Sequence, residues 1–431
     1  MTPAPLPLTA VCRAAALAAT ALTLGMAPAV RAQSNVKPPQ AQAWIDVATY
    51  SGFGMPAGMA NPMAALGSLF GGGGGAKNTF GNTQTGSTGR WVDVTLSTRL
   101  NPSLSEAEQA VPASFLSPAL KLQAPKDLRT PAPETHDDQV IEPSYERPKG
   151  KLLLYWGCGA AVRAGQPKVL DMATASAADL GKFFQSRRAT QRGTHSAVGR
   201  PVWPNPADAR MVPGNASLVG PHAFSGSGVP ESFRFQIPAA QDLMPALAIQ
   251  QQAAGDGSVD LSWQALSTAR AYFIAGMGAG AGAGKGGGGD MEMVIWTSSE
   301  LPDTGFGLTD YQTNPAVDKW LGEKVLLSPG TTHCTVPAGV FPNGQGGMLR
   351  AIAYGSELNL AHPPRPKDPK AVWEPEWAAK IRVKSMTTVM LGMPDMSGAG
   401  GKPSDGTPPE PERKPEKKPS ALDLLKGVLG R

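Results

Sequence analysis

The sequence predicts a mainly β protein, built from antiparallel β-sandwich domains with loops rich in glycine and proline. The clearest pattern lies at Val259–Trp263, where apolar and polar residues alternate with the period of a half-buried strand. The motif Trp-(Ile/Val)-Asp-Val also recurs in two β-branched segments, 43–49 and 90–97. Glycine and proline contribute 51 and 42 of the 431 residues, which favours turns and irregular loops around a modest core.

The first 32 residues predict an export signal. Arg13 precedes an apolar run that reaches Val30, and Val30-Arg31-Ala32 offers small residues for cleavage before Gln33. The expected location is therefore periplasmic or extracellular. The mature chain would carry 37 basic and 34 acidic residues, and this near balance argues against a nucleic-acid partner. No later stretch reaches about 18 apolar residues, so no membrane span is predicted after cleavage.

Changes in composition divide the chain into four predicted regions. These are the signal peptide (1–32), an N-terminal β-rich region (33–237), a β-sandwich with insertions (238–396) and a disordered tail (397–431). The N-terminal region carries a mobile glycine-rich insert at 52–89. The tail is rich in proline, lysine and glutamate and ends in a short helix.

Within these regions, local patterns predict the individual elements. Segments 43–49 and 90–97 are expected to be strands of one sheet. The capping box Ser103-Leu-Ser-Glu106 predicts a short helix that ends by Pro112. Other predicted strands lie at 152–159, 233–237, 334–340, 348–354 and 379–383, and weak helices are predicted at 177–184 and 317–321. Strands 272–275 and 291–296 are predicted to form a hairpin with a glycine-rich tip.

Two resemblances add to this interpretation. At Asp260-Leu-Ser-Trp263, followed by Ala269 and Tyr272 and then by 349–354, the chain resembles a fibronectin type III module over about residues 238–365. That resemblance implies an immunoglobulin-like sandwich in which a tryptophan packs beneath an aromatic residue of the next strand. Through its Tyr-Trp-Gly-Cys-Gly segment, 155–159, the whole chain also resembles a group of exported proteobacterial proteins. This second resemblance implies a compartment and a fold but no site.

Motifs typical of enzymes and metal sites are missing from the sequence. The five histidines lack His-Glu-x-x-His spacing, and neither Cys-x-x-Cys nor Gly-x-Ser-x-Gly occurs. We therefore predict no catalytic residue, no metal and no cofactor. The acidic segment 134–138 could hold Ca²⁺, but it lacks the alternating ligands of a calcium loop and is interpreted as a solvated connector.

The two cysteines of the mature chain leave two interpretations open. Cys158 and Cys334 could form a disulfide, which an oxidising compartment would favour. Alternatively, they could remain separate buried thiols. We favour this second interpretation, because two cysteines provide no spacing pattern to test.

Two further groups of residues are candidates for binding. Trp203, Trp373 and Trp377 lie in loops flanked by proline, where exposed rings could stack on the faces of sugars or cover the edge of a core. A basic cluster could bind an anion such as a lipopolysaccharide phosphate or an acidic glycan, although a solvated surface explains it as well. The cluster consists of Lys182, Arg187, Arg188 and Arg192.

The expected function is that of a non-catalytic exported envelope protein with a binding or structural role. Its partner would be an envelope glycan or an envelope protein, and the oligomeric state stays open. One alternative is a hydrolase with a dispersed site that includes Cys158, His222 or the carboxylates of 134–138. Another is a carrier of apolar molecules between the sheets, which would require a large empty pocket.

Overall fold

The computed structural model describes residues 35–52, 78–85, 88–117, 119–126, 150–189, 193–280, 291–344, 346–368 and 370–393. The predicted signal peptide, most of the insert, the acidic segment 134–138, Arg192 and the tail lie outside these ranges. None of the helices in the described ranges has the length and apolar character needed to cross a bilayer.

The described residues form a mainly β protein with seventeen strands and three short α-helices. The strands are β1 Ala41–Gly52, β2 Gly89–Thr98, β3 Glu106–Ala110, β4 Ala119–Gln123, β5 Gly150–Trp156, β6 Lys168–Asp171, β7 Val202–Trp203, β8 Gly220–Ser225, β9 Arg234–Ile237, β10 Ile249–Ala253, β11 Val259–Trp263, β12 Ala271–Ala279, β13 Met291–Thr297, β14 His333–Val336, β15 Met348–Tyr354, β16 Leu358–His362 and β17 Trp377–Met390. The helices are α1 Asn82–Thr85, α2 Ala177–Phe183 and α3 Asn314–Gly322.

Fourteen strands belong to one mixed sheet. Its order is β6-β5-β13-β12-β15-β17-β1-β2-β7-β4-β3-β8-β9, and β16 pairs with the first part of β17. The pairs β1–β17 and β5–β13 are parallel, and the other neighbours are antiparallel. The long strand β17 therefore joins the strands of the N-terminal half to those of the C-terminal half.

The two faces of this sheet differ in composition. The inner face carries Ile45, Val47, Ile381 and Val383, which belong to the main hydrophobic core. The opposite, outer face of the same two strands carries charged side chains, among them Arg382 and Lys384. Because neighbouring residues of a strand point to opposite faces, the alternation in the sequence places these two sets on opposite sides.

A separate three-stranded sheet, β10-β11-β14, packs against the inner face. The rings of Trp263 on β11 and Tyr272 on β12 lie 5.6 Å apart, and the Tyr272 hydroxyl accepts a hydrogen bond from the Leu266 amide. Trp263 is thus a buried strand residue, as the sequence predicts.

A disulfide links the two sheets. Cys158 follows β5 of the large sheet and Cys334 lies on β14 of the small one, with their Cα atoms 5.2 Å apart. The favoured expectation of two free thiols is therefore wrong. The two positions are 176 residues apart in sequence, so only the packing of the two sheets brings the thiols together.

A second, smaller core covers the middle of the outer face. Val317 and Trp320 of α3 pack there with Phe273, Ile352 and other buried residues of the sheet. Helix α3 has a proline in its first turn, which fits the free N-terminal position of a helix. The predicted helices at 317–321 and 177–184 are confirmed, with slightly different ends.

Most predicted strands are confirmed, but the segment after Ser103 differs. Residues 106–110 form β3 between β4 and β8 and not the predicted helix. Gln109 is buried there while its neighbours Glu108 and Ala110 are exposed, which is the period of a strand. Tertiary pairing therefore overrides the local capping signal.

Two expectations about organisation also change. The large sheet contains strands from both sides of the predicted boundary at 237/238, so it is not a simple sandwich. Residues 78–85, which belong to the predicted mobile insert, pack against the sheet, and Thr83 is fully buried.

Removal of the disulfide should destabilise the fold. Replacing Cys158 and Cys334 by serine should lower the free energy of unfolding by about 2–5 kcal/mol, because the bridge closes a long loop. Guanidinium unfolding of a chain that begins at Gln33, with and without reductant, measures the effect.

The serine variant is the control, since reductant should not change its unfolding. Two free thiols in the denatured, unreduced wild-type chain would contradict the bridge.

Candidate functional site

An aromatic groove lies on the outer face, beside the beginnings of β1 and β17. Its volume is about 470 Å³, and β16 and the beginnings of β1 and β17 form its floor. It is lined by Gln42, Asn359, Leu360, Ala361, Pro364, Arg365, Trp373, Ala378, Ala379 and Lys380. The volume is in the range of pockets that bind small ligands.

The indole of Trp373 is held in a defined position at this groove. Its ring nitrogen donates a hydrogen bond to the Pro363 carbonyl at 3.0 Å. Its backbone is anchored on both sides, because its amide donates to the Asn35 carbonyl and its carbonyl accepts from the Lys37 amide. The half-buried ring therefore needs little ordering before a ligand can stack on it.

Polar and charged side chains surround the ring. The guanidinium carbon of Arg365 lies 5.9 Å from the centre of the Trp373 ring. Lys380 forms an ion pair with Glu357 at 3.2 Å and also lies 5.6 Å from the centre of the Trp44 ring. An aromatic surface beside amide and cationic groups can recognise a ligand with one apolar face and several hydroxyl or carboxylate groups.

The other two tryptophans are buried, so the stacking interpretation is wrong for them, and their rings cover the core as the alternative interpretation has it. Trp203 lies on β7 with no exposed surface and packs against Phe115 at 6.1 Å. Trp377 begins β17, stacks on Phe233 at 4.8 Å and donates its ring N–H to the Ser232 carbonyl. Flanking prolines indicated loops, but strand pairing places both rings in the core.

The predicted basic cluster is only partly brought together. Lys182 and Arg187 line a common pocket of about 420 Å³, together with Lys168, which the sequence did not single out. Arg188 is exposed and is not among the lining residues of this pocket, and Arg192 lies outside the described ranges.

A buried ion pair lies further along the outer face, between β1 and β17. Asp46 and Arg382 are direct neighbours in the parallel pairing, and two hydrogen bonds of 2.7 and 2.6 Å join their side chains. Thr194 donates two more hydrogen bonds to Asp46. Gly193 lies so close to the guanidinium group that a Cβ atom there would overlap it.

Aromatic rings and a second cation complete this cluster. The ring of Tyr311 lies 4.3 Å from the Arg382 guanidinium carbon and 4.2 Å from the Lys384 ammonium group. Lys384 also pairs with Asp310 at 2.9 Å. Burial lowers the pKa of Arg382, but Asp46, Tyr311 and Asp310 together raise that pKa above its ordinary value, so the guanidinium stays charged.

The repeated motif of the sequence places a second carboxylate opposite the first. Asp46 of Trp-Ile-Asp-Val faces Asp93 of Trp-Val-Asp-Val across the antiparallel β1–β2 pair. Asp93 accepts hydrogen bonds from the amides of Gly81 and Thr83 and from the Thr83 hydroxyl. Burial raises the pKa of Asp93 to about 6, assisted by the charge of Asp46 and opposed by the hydrogen bonds.

Facing carboxylates can act as an acid–base pair, but these two are committed to internal partners. Both oxygens of Asp46 and both oxygens of Asp93 accept hydrogen bonds from within the protein. Both residues are almost fully buried, and neither lines one of the pockets described above. The cluster is therefore a structural element of the sheet.

Two of the candidate catalytic residues of the hydrolase alternative are unsuited to that role. Cys158 is oxidised in the disulfide and has no thiol to act as a nucleophile. His222 lies on β8, near the opposite edge of the sheet from β5, and its ring contacts Gln109 and the Leu218 carbonyl. Burial lowers the pKa of His222, which fits a neutral core histidine.

The carrier alternative requires a large pocket between the sheets. A groove of about 1150 Å³ exists, and its walls include Phe80, Pro125, Val202 and Pro204. These residues lie beside β4 and β7, and no residue described as lining it belongs to the three-stranded sheet. This groove does not lie between the sheets, where the carrier alternative requires a pocket. The carrier function therefore stays a prediction.

Comparisons with known proteins do not add to these observations. No protein-family model matches the chain, and no curated protein matches it.

Several residues of these sites could not be selected from the sequence. Gln42, Asn359 and Arg365 are ordinary polar residues of separate segments, and only the pairing of β1, β16 and β17 brings them together. One feature of the sequence indicated the buried ion pair. An aspartate recurs in two otherwise apolar strand motifs.

Loss of the buried arginine should destabilise the protein strongly. Replacing Arg382 by methionine leaves the carboxylate of Asp46 buried without its partner, which should cost about 3–5 kcal/mol of unfolding free energy. Urea unfolding measures this change.

A surface ion pair provides the matched control. Lys37 pairs with Glu374, and about half of each side chain is exposed, so Lys37→Ala should cost about 0–1 kcal/mol. Equal effects of the two substitutions would contradict the role of the buried pair.

The raised pKa of Asp93 predicts a pH dependence of stability. Between its ordinary value of 3.8 and about 6, the folded state binds more protons than the unfolded state, so stability should fall as pH rises through this window. The loss should be at most about 3 kcal/mol. Unfolding free energies measured from pH 4 to pH 7 test it.

Asp93→Asn removes the titrating group and should flatten this part of the profile relative to wild type. The slope of unfolding free energy against pH is compared between wild type and the variant, because other groups such as His222 titrate equally in both proteins. Parallel profiles would show that Asp93 does not titrate in this range.

Proposed function

We propose that this chain is a non-catalytic exported envelope protein and that the aromatic groove binds an envelope glycan. The observation that carries the proposal is the fixed indole of Trp373 beside the amides of Gln42 and Asn359 and the guanidinium of Arg365. A sugar ring has an apolar face that suits an indole, and its hydroxyl groups suit amide partners at the rim.

The charges at the groove favour an acidic glycan. Glu357 compensates Lys380, whereas Arg365 is exposed and forms no ion pair with any of the described residues. A carboxylate on the ligand would supply this missing partner in a bidentate geometry. The same groove would bind a neutral glycan through stacking and hydroxyl contacts alone, and therefore more weakly.

Export is supported by two features that are independent of the groove. The first 32 residues have the composition of a signal peptide, and the described part of the chain contains a disulfide between its two sheets. Disulfides of this kind are typical of oxidising compartments. These features support the proposal that the protein is periplasmic or extracellular, as the resemblance to exported proteobacterial proteins also implies.

The proposed fibronectin-like region also has support. The strands β10-β11-β14 form one layer, and β13-β12-β15-β17 are consecutive in the other. Trp263 packs on Tyr272 between these layers, as in the resemblance drawn from the sequence. Modules of this architecture often serve binding, but that step is an analogy at the level of the fold.

Replacing Trp373 by alanine should weaken glycan binding by ten- to a hundredfold, because a buried aromatic contact contributes about 1–3 kcal/mol. The probes are insoluble peptidoglycan in co-sedimentation, and polygalacturonate and dextran as soluble acidic and neutral polysaccharides in fluorescence titration. Arg365→Ala should weaken binding of the acidic polysaccharide and leave dextran unaffected.

Val372 is the matched control, since this exposed apolar neighbour does not line the groove. Val372→Ala should bind like wild type. The proposal fails if wild type binds none of the three polymers, or if Trp373→Ala binds as well as wild type.

A further inference from the structure

A polar pocket lies at the β5–β6 edge of the large sheet, separate from the aromatic groove. It is formed by β5, β6, helix α2 and the loop that follows α2, and its volume is about 420 Å³. Three cationic side chains from three segments line it: Lys168, Lys182 and Arg187. No residue lines both this pocket and the aromatic groove.

One carboxylate, that of Asp303, also lines the pocket, but its hydrogen-bonding capacity is used. One oxygen accepts from the Ser186 hydroxyl and the Gly305 amide, and the other accepts from the amide and the guanidinium of Arg187. Asp303 is almost fully buried and holds the loop after α2 against the sheet. Its charge is therefore balanced by Arg187.

The two lysines, unlike Arg187, have no ion-pair partner among the described residues. Within the described residues, neither Lys168 nor Lys182 has a carboxylate oxygen at ion-pair distance. The Lys168 ammonium lies 5.9 Å from the centre of the Trp156 ring, which places it over an apolar surface. Two ammonium groups that line one pocket without an ion-pair partner favour the binding of an anion there.

We propose that this pocket binds a phosphate group. The four charged lining residues carry a net charge of +2, and Glu323, which pairs with Arg187 at 3.5 Å from outside the lining, lowers the net charge of the group to +1. This positive charge suits a phosphate monoester, which carries about −1.5 to −2 at neutral pH. The phosphate could belong to the headgroup of an envelope lipid or to a small soluble molecule. The proposal does not depend on glycan binding, because the two sites have different lining residues and different chemistry.

The test uses inorganic phosphate in calorimetric titrations, and vesicles of phosphatidylcholine with and without phosphatidic acid in co-sedimentation. The Lys168→Ala/Lys182→Ala double variant should bind inorganic phosphate at least about tenfold more weakly than wild type. Both lysines are exposed, so the thermal unfolding midpoint should not change.

Lys151→Ala is the control, because Lys151 is an exposed lysine of β5 that does not line the pocket. If wild type and this control bind inorganic phosphate and the double variant does not, the site accepts a soluble anion. If only vesicles with phosphatidic acid are bound, and the double variant alone loses them, the site accepts a lipid headgroup. The proposal is overturned if wild type binds neither probe, or if the double variant and the control behave alike.

Discussion

The ion pair between Asp46 and Arg382 is the contact on which the large sheet depends. It lies between the first and last strands of the described chain, in one of the two parallel ladders that join N-terminal to C-terminal strands among the described residues. The pair also specifies register. A slip of one residue would turn Arg382 to the inner face, into the core occupied by Ile381 and Val383, and would leave Asp46 without a partner.

The strand register set by this ion pair explains why the two faces of the sheet have different roles. Among the described residues, the inner face is covered by the three-stranded sheet and by buried loops, and its apolar residues belong to the main core. The outer face has a small core only in its middle, beneath α3. The aromatic groove at β16 and the cationic pocket at β5 and β6 lie outside this small core. Both candidate sites therefore lie on the face that the sandwich leaves uncovered.

Sequence patterns predict local structure well where a strand alternates strictly between buried and exposed residues. Val259, Leu261 and Trp263 are buried and the two residues between them are exposed, as their alternation indicates. The prediction fails where tertiary pairing decides, as at β3, where a capping box gives way to pairing with β4 and β8. The disulfide belongs to the same category, since no spacing can show that residues 176 positions apart will meet.

The sites were less predictable than the fold for a related reason. Each pocket joins side chains from distant segments, and such a set has no pattern along the chain. Lys168 was absent from the predicted basic cluster because it lies on β6, before α2 begins, and only the sheet edge brings it to Lys182. Trp203 and Trp377 lie on strands and are buried, whereas Trp373 lies outside the strands and is half-buried, although all three have prolines nearby in the sequence.

Strand β17 connects the structural cluster to the groove. Lys380 lines the groove and Arg382 forms the buried pair, and because they are two positions apart they lie on the same face of the strand. Both cations lie within 6 Å of the centre of the Trp44 ring, at 5.6 and 5.7 Å. The contacts that join β1 to β17 thus also hold the floor of the groove in place. A ligand there would meet a surface that is already ordered, so little of its binding energy would be spent on arranging the protein.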